Sequence, residues 1–215
     1  MRRTLVIMVK QPRAGRVKTR LGRDIGMTAA AWWFRHQSAD LIRRLRDPRW
    51  EIVLAVAPDT AVAAREWPED LRRLPQGSGD LGDRMARMLK VRPGRQAGHR
   101  PYRPPPKPRS PKPKCYRPVC LIGADIPGIT RAHIARAFDA LGGHDAVFGP
   151  AEDGGYWLIG LKHPRRQPRG FMQDVRWSTG HALSDTLGTL PGYRIALTDP
   201  LRDVDTAADL AALSR

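Results

Sequence analysis

Short apolar runs separated by longer amphipathic stretches set the rhythm of this chain. Thr4 to Val9 (TLVIMV) and Ile52 to Ala57 (IVLAVA) are continuously apolar, the pattern of strands covered on both faces. Further strands are predicted at Val119–Ile122, Ala146–Gly149, Tyr156–Leu161 and about Tyr193–Leu197, with a short extended piece at Leu74–Gly77. Helical spacing alternates with them. It predicts helices at about Ala29–Arg46 with Thr28 as cap, from Pro58-Asp59-Thr60 to about Arg72, and at Asp80–Lys90. Three more are predicted at Arg131–Leu141, His181–Leu187 and from Thr206 onward. Gln11 to Gly22 reads as a loop rich in Pro, Gly, Lys and Arg. Trp32-Trp33-Phe34 reads as core or a subunit contact rather than a base-stacking platform. A homodimer is therefore one option for an assembly the sequence leaves open. There is no internal repeat.

Strand–helix alternation implies an α/β, Rossmann-like fold with a mostly parallel sheet and helices on both faces. At 215 residues, one domain spanning 1–215 is the expectation. Ligands of such sheets bind outside the carboxyl ends of the strands. That is where the unusual polar sequence falls.

The formal charge of +17 raises the prospect of a nucleic-acid partner, but its distribution argues against one. Val91 to Pro118 alone holds nine Lys/Arg, no acid and nine of the 20 prolines. Such a stretch forms neither helix nor central strand and is read as an exposed insertion. Two cysteines, Cys115 and Cys120, and six scattered histidines make neither a disulfide framework nor a zinc site. No apolar run reaches the roughly 18 residues of a membrane span, and the N-terminus lacks the features of a signal peptide. A cytoplasmic location is the default expectation.

Four stretches carry candidate chemistry. Lys10-Gln-Pro-Arg-Ala-Gly15-Arg-Val-Lys18-Thr-Arg20-Leu-Gly22 concentrates cations and glycines directly after the first strand, as phosphate binding requires. It is not a Walker A loop, because Val17 stands where that motif needs glycine. Asp125, at the end of a buried strand and followed by Ile126-Pro127, is placed to hold a hard cation. Asp153-Gly154-Gly155 allows a close approach to a ligand, although a plain turn explains the same residues. Asp203 and Asp205 would complete a Mg²⁺ (or Mn²⁺) site with Asp125, and Asp205 or Thr206 could equally cap the last helix.

Five motifs in this order resemble the bacterial DUF2064 proteins, a branch of the GT-A, or nucleotide-diphospho-sugar transferase, superfamily. They are Lys18-Thr-Arg-Leu21, Gln76-Gly-Ser-Gly-Asp80-Leu-Gly82-Asp-Arg84-Met85, Gly123-Ala-Asp125-Ile-Pro127, Asp153-Gly-Gly-Tyr156 and Asp203-Val-Asp-Thr206. The resemblance spans nearly the whole chain outside the insertion. It implies a GT-A fold and a transferase using a nucleotide or nucleotide-sugar, a small-molecule acceptor and a divalent metal. By the same likeness, Lys10, Gly15, Lys18, Arg20, Gln76 and Gly77 would meet the nucleotide and its phosphates, and Asp125 and Asp205 would hold the metal. Lys18, Arg20 and Asp125 would serve catalysis. Asp153, Gly154, Gly155 and Trp177 would line the sugar or acceptor side. One aspartate stands at Ala124-Asp125 where glycosyltransferases usually carry Asp-x-Asp. The N-terminal loop is also similar to that of guanylyltransferases acting on phospholactate and the molybdenum cofactor. Sugar transfer is the first reading, nucleotidyl transfer with release of pyrophosphate the alternative, and nucleic-acid binding through the basic insertion at about 91–118 the third.

Overall fold

A computed structural model describes residues 3–92 and 117–212. The basic stretch between Pro93 and Tyr116, with Cys115, lies outside the described residues.

Seven strands form one sheet in the order β3-β2-β1-β4-β6-β5-β7. They are β1 (Arg3–Lys10), β2 (Trp50–Ala57), β3 (Arg72–Pro75), β4 (Val119–Gly123), β5 (Ala146–Pro150), β6 (Tyr156–Leu161) and β7 (Ile195–Leu197). All pairings are parallel except those of β6, which runs against both β4 and β5. The continuous apolar runs have the expected cause: helices cover both faces. On one side Leu5, Ile7 and Val9 pack with α2 (Met27–Arg44) and α4 (Arg131–Gly143). On the other, Val6, Val53 and Leu121 pack with α3 (Leu81–Leu89), whose Met85, Met88 and Leu89 are buried. The remaining helices are α1 (Thr19–Ile25), α5 (Ala182–Gly188) and α6 (Ala207–Ala212).

Local chemistry fixes the helix starts. Asp80 caps α3 by accepting from the Asp83 amide at 2.8 Å, while Asp83 accepts from the Asp80 amide at 3.3 Å. Thr130 and His133 make the equivalent reciprocal pair at the start of α4.

Three expectations need correction. No helix runs from Pro58 to Arg72; a single 3₁₀ turn at Asp59–Ala61 is followed by turns leading into β3. Pro68 has no N–H to continue a helix, and Trp67 is buried instead, its indole donating to the Ala61 carbonyl at 3.0 Å. Arg73 donates to the carbonyls of Val62 and Ala64, satisfying backbone that a helix would have paired internally. The Gln11–Gly22 loop ends early, because Thr19 already begins α1, anchored by the fully buried Leu21. Thr28 is not a cap: α2 starts at Met27 behind Gly26. Of the aromatic triplet, Phe34 is core and Trp33 packs against it, whereas Trp32 is 56% exposed and stacks on His36. Among the described residues, no helix is long and apolar enough to cross a membrane.

Candidate active site

β1 ends at Lys10, and its next residue, Gln11, donates its amide to the Ala57 carbonyl at the end of β2. The loop then closes on itself through Arg16, which donates to the Arg13 carbonyl, and is pinned by the buried Val17. Lys18, the next residue, has φ 44 and ψ 49, a left-handed backbone. A residue with a Cβ adopts it at a cost, and such outliers concentrate at functional positions.

This conformation accompanies a buried ammonium. The Lys18 side chain is 7% exposed, with Nζ 2.8 Å from Asp205 Oδ1 and 3.4 Å from Asp125 Oδ2. Arg20, largely exposed, reaches the other oxygen of Asp205 at 3.2 Å. Burial alone would lower the pKa of Lys18, but Asp125 and Asp205, with Asp203 behind them, outweigh it and the value is raised. Burial pushes Asp203 upward, and the like charges of Asp205, Asp125 and Asp153 add to that against the pull of Lys18.

The two carboxylates reach the lysine by different routes. Asp125 follows the end of β4, and Gly123 is bare because a Cβ there would stand 2.6 Å from Asp125 Oδ1. Asp205 sits in a turn organised by Asp209. Asp209 Oδ2 accepts from the Asp205 and Thr206 amides and the Thr206 hydroxyl, and Oδ1 accepts from Arg202. Asp24 of α1 ties the same segment down by accepting from the Ala207 amide.

A cleft of about 560 Å³ opens over the carboxyl ends of β1, β2 and β4 and gathers these groups. Its cations are Lys10, Arg16, Lys18, Arg20 and Arg84; its carboxylates are Asp125 and Asp205. Gln76 also lines it, though its amide nitrogen is committed to the carbonyls of Val9 and Ala55. Its Oε1 accepts from Arg84 at 3.2 Å. Gln76 thus laces two strand ends together and aims Arg84.

Beyond Asp125 the cleft continues into a smaller chamber of about 270 Å³, lined by Asp125, Asp153, Asp203, Tyr156, Trp157 and Trp177 among others. The reversal of β6 brings it here: the Ala151–Gly155 turn leaves β5 and enters β6 at the edge where β1 and β4 end. Gly154, at φ 81, packs on the backbone of Gly180, where a Cβ would stand 2.3 Å from the carbonyl oxygen. Trp177 is carried on a turn held by Asp185, which accepts from the Arg176 amide and guanidinium. That guanidinium holds the Asp185 carboxyl well below the usual carboxylate range.

The residues singled out from sequence therefore divide. Lys10, Lys18, Arg20, Gln76, Asp125 and Asp205 share the larger cleft, and Asp125, Asp153, Gly155 and Trp177 the smaller chamber. Gly15, Gly77 and Gly154 line neither; the Gly77 amide donates to Asp59 and its α-carbon packs against Arg87. Arg16, Arg84 and Asp209 were not singled out. The i,i+4 spacing of Asp205 and Asp209 and the position of Arg84 in the second motif were the available signals.

The donor set suits a hard divalent ion. Two carboxylates converge within 3.4 Å of one nitrogen, and Mg²⁺ or Mn²⁺ is typically held by one or two carboxylates with substrate phosphates filling the remaining positions. Among the described residues, no group of three or more potential ligands forms a complete protein cage. Asp125 and Asp205 are the carboxylates of the cleft that could hold such an ion.

Residues 41–179 match the family model described as "Uncharacterized protein conserved in bacteria (DUF2064)". The chain belongs to the DUF2064 family. This DUF2064 protein superposes over its whole length on a "putative nucleotide-diphospho-sugar transferase" from Desulfovibrio desulfuricans G20. The TM-score is 0.80 and the identity 27%, with 87% of that chain covered. It shares its fold with Rv0371c from Mycobacterium tuberculosis H37Rv, at TM-score 0.54 and 15% identity, covering 99% of this chain and 97% of that one. It also shares it with 4-diphosphocytidyl-2C-methyl-D-erythritol synthase from Anaerococcus prevotii DSM 20548, at TM-score 0.56 and 10% identity, covering 100% and 99%. No curated protein matches the sequence. The α/β, Rossmann-like fold expected from sequence is the one found, and the DUF2064 protein is an enzyme of the transferase class.

Proposed function

We propose that this protein is a GT-A-type glycosyltransferase that takes a sugar from a nucleoside diphosphate sugar with the help of a divalent metal. The observation that carries the reading is the convergence of Lys18 and Arg20 with Asp125 and Asp205 in one cleft at the strand ends. Cations and carboxylates side by side are what a metal–diphosphate complex needs: the cations meet phosphate oxygens, and the carboxylates anchor the metal.

In this reading Lys10, Arg16, Lys18, Arg20 and Arg84 bind and orient the diphosphate. Asp125 and Asp205 hold Mg²⁺ or Mn²⁺, which when bound supplies charge neutralisation to the departing nucleoside diphosphate. Transfer breaks the bond between the anomeric carbon and the diphosphate oxygen and forms one from that carbon to the acceptor oxygen. The acceptor's proton passes to a carboxylate of the smaller chamber. Lys18 and Arg20 stabilise the negative charge that develops on the leaving group.

A second reading, nucleotidyl transfer, is favoured by one feature: five cations line the cleft, enough to hold a triphosphate whose α-phosphate is attacked. The products separate the two. Incubation with Mg²⁺ and each nucleotide sugar is expected to release nucleoside diphosphate. Release of pyrophosphate from a nucleoside triphosphate, with no turnover of nucleotide sugars, would establish the second reading instead.

A further inference from the structure

The two chambers that meet at Asp125 have opposite chemistry. The larger one presents five Lys and Arg side chains. The smaller one presents none: among the described residues that line it there is no lysine, arginine or histidine. Its charged groups are Asp125, Asp153 and Asp203, its hydroxyls Ser178, Thr179 and Tyr156, and its walls the rings of Tyr156, Trp157 and Trp177.

Nor does the glycine pair supply an anion site. The Gly155 amide donates to Asp153 Oδ1 at 2.9 Å, and the Gly154 amide to the Ala151 carbonyl at 3.2 Å, so the glycine pair offers no free N–H pair. The guanidiniums adjacent in sequence to Trp177 and Asp203 are committed as well. Arg176 is bidentate on Asp185, and Arg202 pairs with Asp209 and lies 3.9 Å from Glu152. Lys18 is held between Asp125 and Asp205 on the far side.

From this we infer that the occupant of the smaller chamber, beside the nucleotide's phosphates, is a compact, uncharged or cationic polyhydroxyl moiety and not a phosphorylated one. A phosphate placed there would face Asp153 and Asp203 with no cation in the chamber's own lining, and Asp125, whose Lys18 partner is shared with Asp205; such like-charge juxtaposition is unfavourable. Hydroxyl groups, by contrast, donate to carboxylates, and the apolar face of a sugar ring lies well on aromatic side chains. The volume of about 270 Å³ is below the roughly 300–1,000 Å³ of sites for drug-sized ligands, which limits the occupant to about one small ring. The inference rests on the proposed function for its nucleotide. It adds a criterion against acceptors bearing phosphate, whether in sugar or nucleotidyl transfer.

The test has two stages. Calorimetry with Mg²⁺ and UDP or GDP first establishes nucleotide binding; if neither binds, the proposed function fails and takes this inference with it. Saturation-transfer NMR on the nucleotide-loaded protein then compares glucose, glucosamine and glucose 6-phosphate. UDP-glucose or GDP-glucose forms a separate arm. Contact seen only for the hexose of the nucleotide sugar identifies the occupant as the donor's sugar, and contact with free glucose or glucosamine identifies an acceptor. Both outcomes support the inference, provided glucose 6-phosphate binds about tenfold or more weakly than the uncharged or cationic hexose. Asp203→Lys should narrow or reverse that preference, and Asp153→Asn should weaken it if Asp203→Lys does not fold. Equal or tighter binding of glucose 6-phosphate, or contact from no hexose in any arm, overturns the inference.

Discussion

The Lys18 ammonium lies 2.8 Å from a carboxylate oxygen of Asp205, a residue 187 positions further along the chain. The contact joins the first phosphate-type motif to the last acidic one across the mouth of the sheet. A buried ammonium persists only where carboxylates offset its desolvation. Lys18 therefore serves the acids, and in the proposed reading it would turn to the phosphates when substrate binds.

Lys18→Met should cost both stability and binding. It leaves Asp125, Asp203 and Asp205 without their shared counter-charge. Because Asp125 and Asp205 are more than one-third exposed, solvent screening reduces the penalty to about 1–2 kcal/mol. Thermal denaturation should record that loss, and calorimetry a nucleotide affinity lowered at least tenfold. A variant that melts and binds as the parent does would remove Lys18 from both roles.

Asp125→Asn keeps the shape of the side chain and removes its charge. Since the residue is 44% exposed, the melting temperature should stay within about 2 °C. Turnover should lose its response to Mg²⁺. Retained metal-dependent turnover would exclude Asp125 as a metal ligand.

Two glycine substitutions should separate chemistry from folding. At Gly123 a methyl group meets the tip of the Asp125 side chain, which can swing aside, so Gly123→Ala should fold while metal affinity falls about 10–100-fold. At Gly154 it meets the backbone of Gly180 with φ at 81, so Gly154→Ala should cost about 1–3 kcal/mol before any effect on catalysis. Denaturant melts paired with Mn²⁺ titrations read both quantities, and an identical pattern in the two variants would contradict the distinction.

The turn bearing Trp177 should be sensitive to acid. Arg176 holds the Asp185 carboxyl below its ordinary value near 4. A depressed folded-state pKa contributes stability that is fully present above that ordinary value and is lost as pH falls through the folded one. Tryptophan fluorescence should therefore be flat from neutrality to about pH 4 and change only at lower pH. Asp185→Asn should show the altered signal already at neutrality. An unchanged neutral spectrum in Asp185→Asn would break the proposed link between this pair and Trp177.

How much of this was legible in the sequence depended on distance. Strands such as Thr4–Val9 were plain because burial on both faces leaves an uninterrupted apolar run. Helix α3 was plain because Asp80 and its amphipathic pattern act within a few residues. The stretch from Pro58 to Arg72 misled because its non-helical path is fixed by Trp67 and Arg73, which satisfy backbone carbonyls at a distance that local propensity does not register. Helix α1 was hidden by Gly22 and the surrounding cations; its anchor, Leu21, is buried by the fold. At the site, residue types alone singled out Lys18, Arg20, Asp125 and Asp205, which the fold gathers in one cleft. The commitment of Gln76 and Gly77 to neighbouring strands and side chains, and the absence of cations from the smaller chamber, needed three dimensions.

Arg92 and Pro118 both lie at the end of the sheet remote from the cleft. The Arg92 carbonyl accepts from Arg72 at the start of β3, and the Pro118 carbonyl accepts from the amide of Thr4 near the start of β1. Both contacts thus lie a strand length from the roots of Lys18, Asp125 and Asp205, so the end of the sheet where the strands begin bears on the cleft only through the strands themselves.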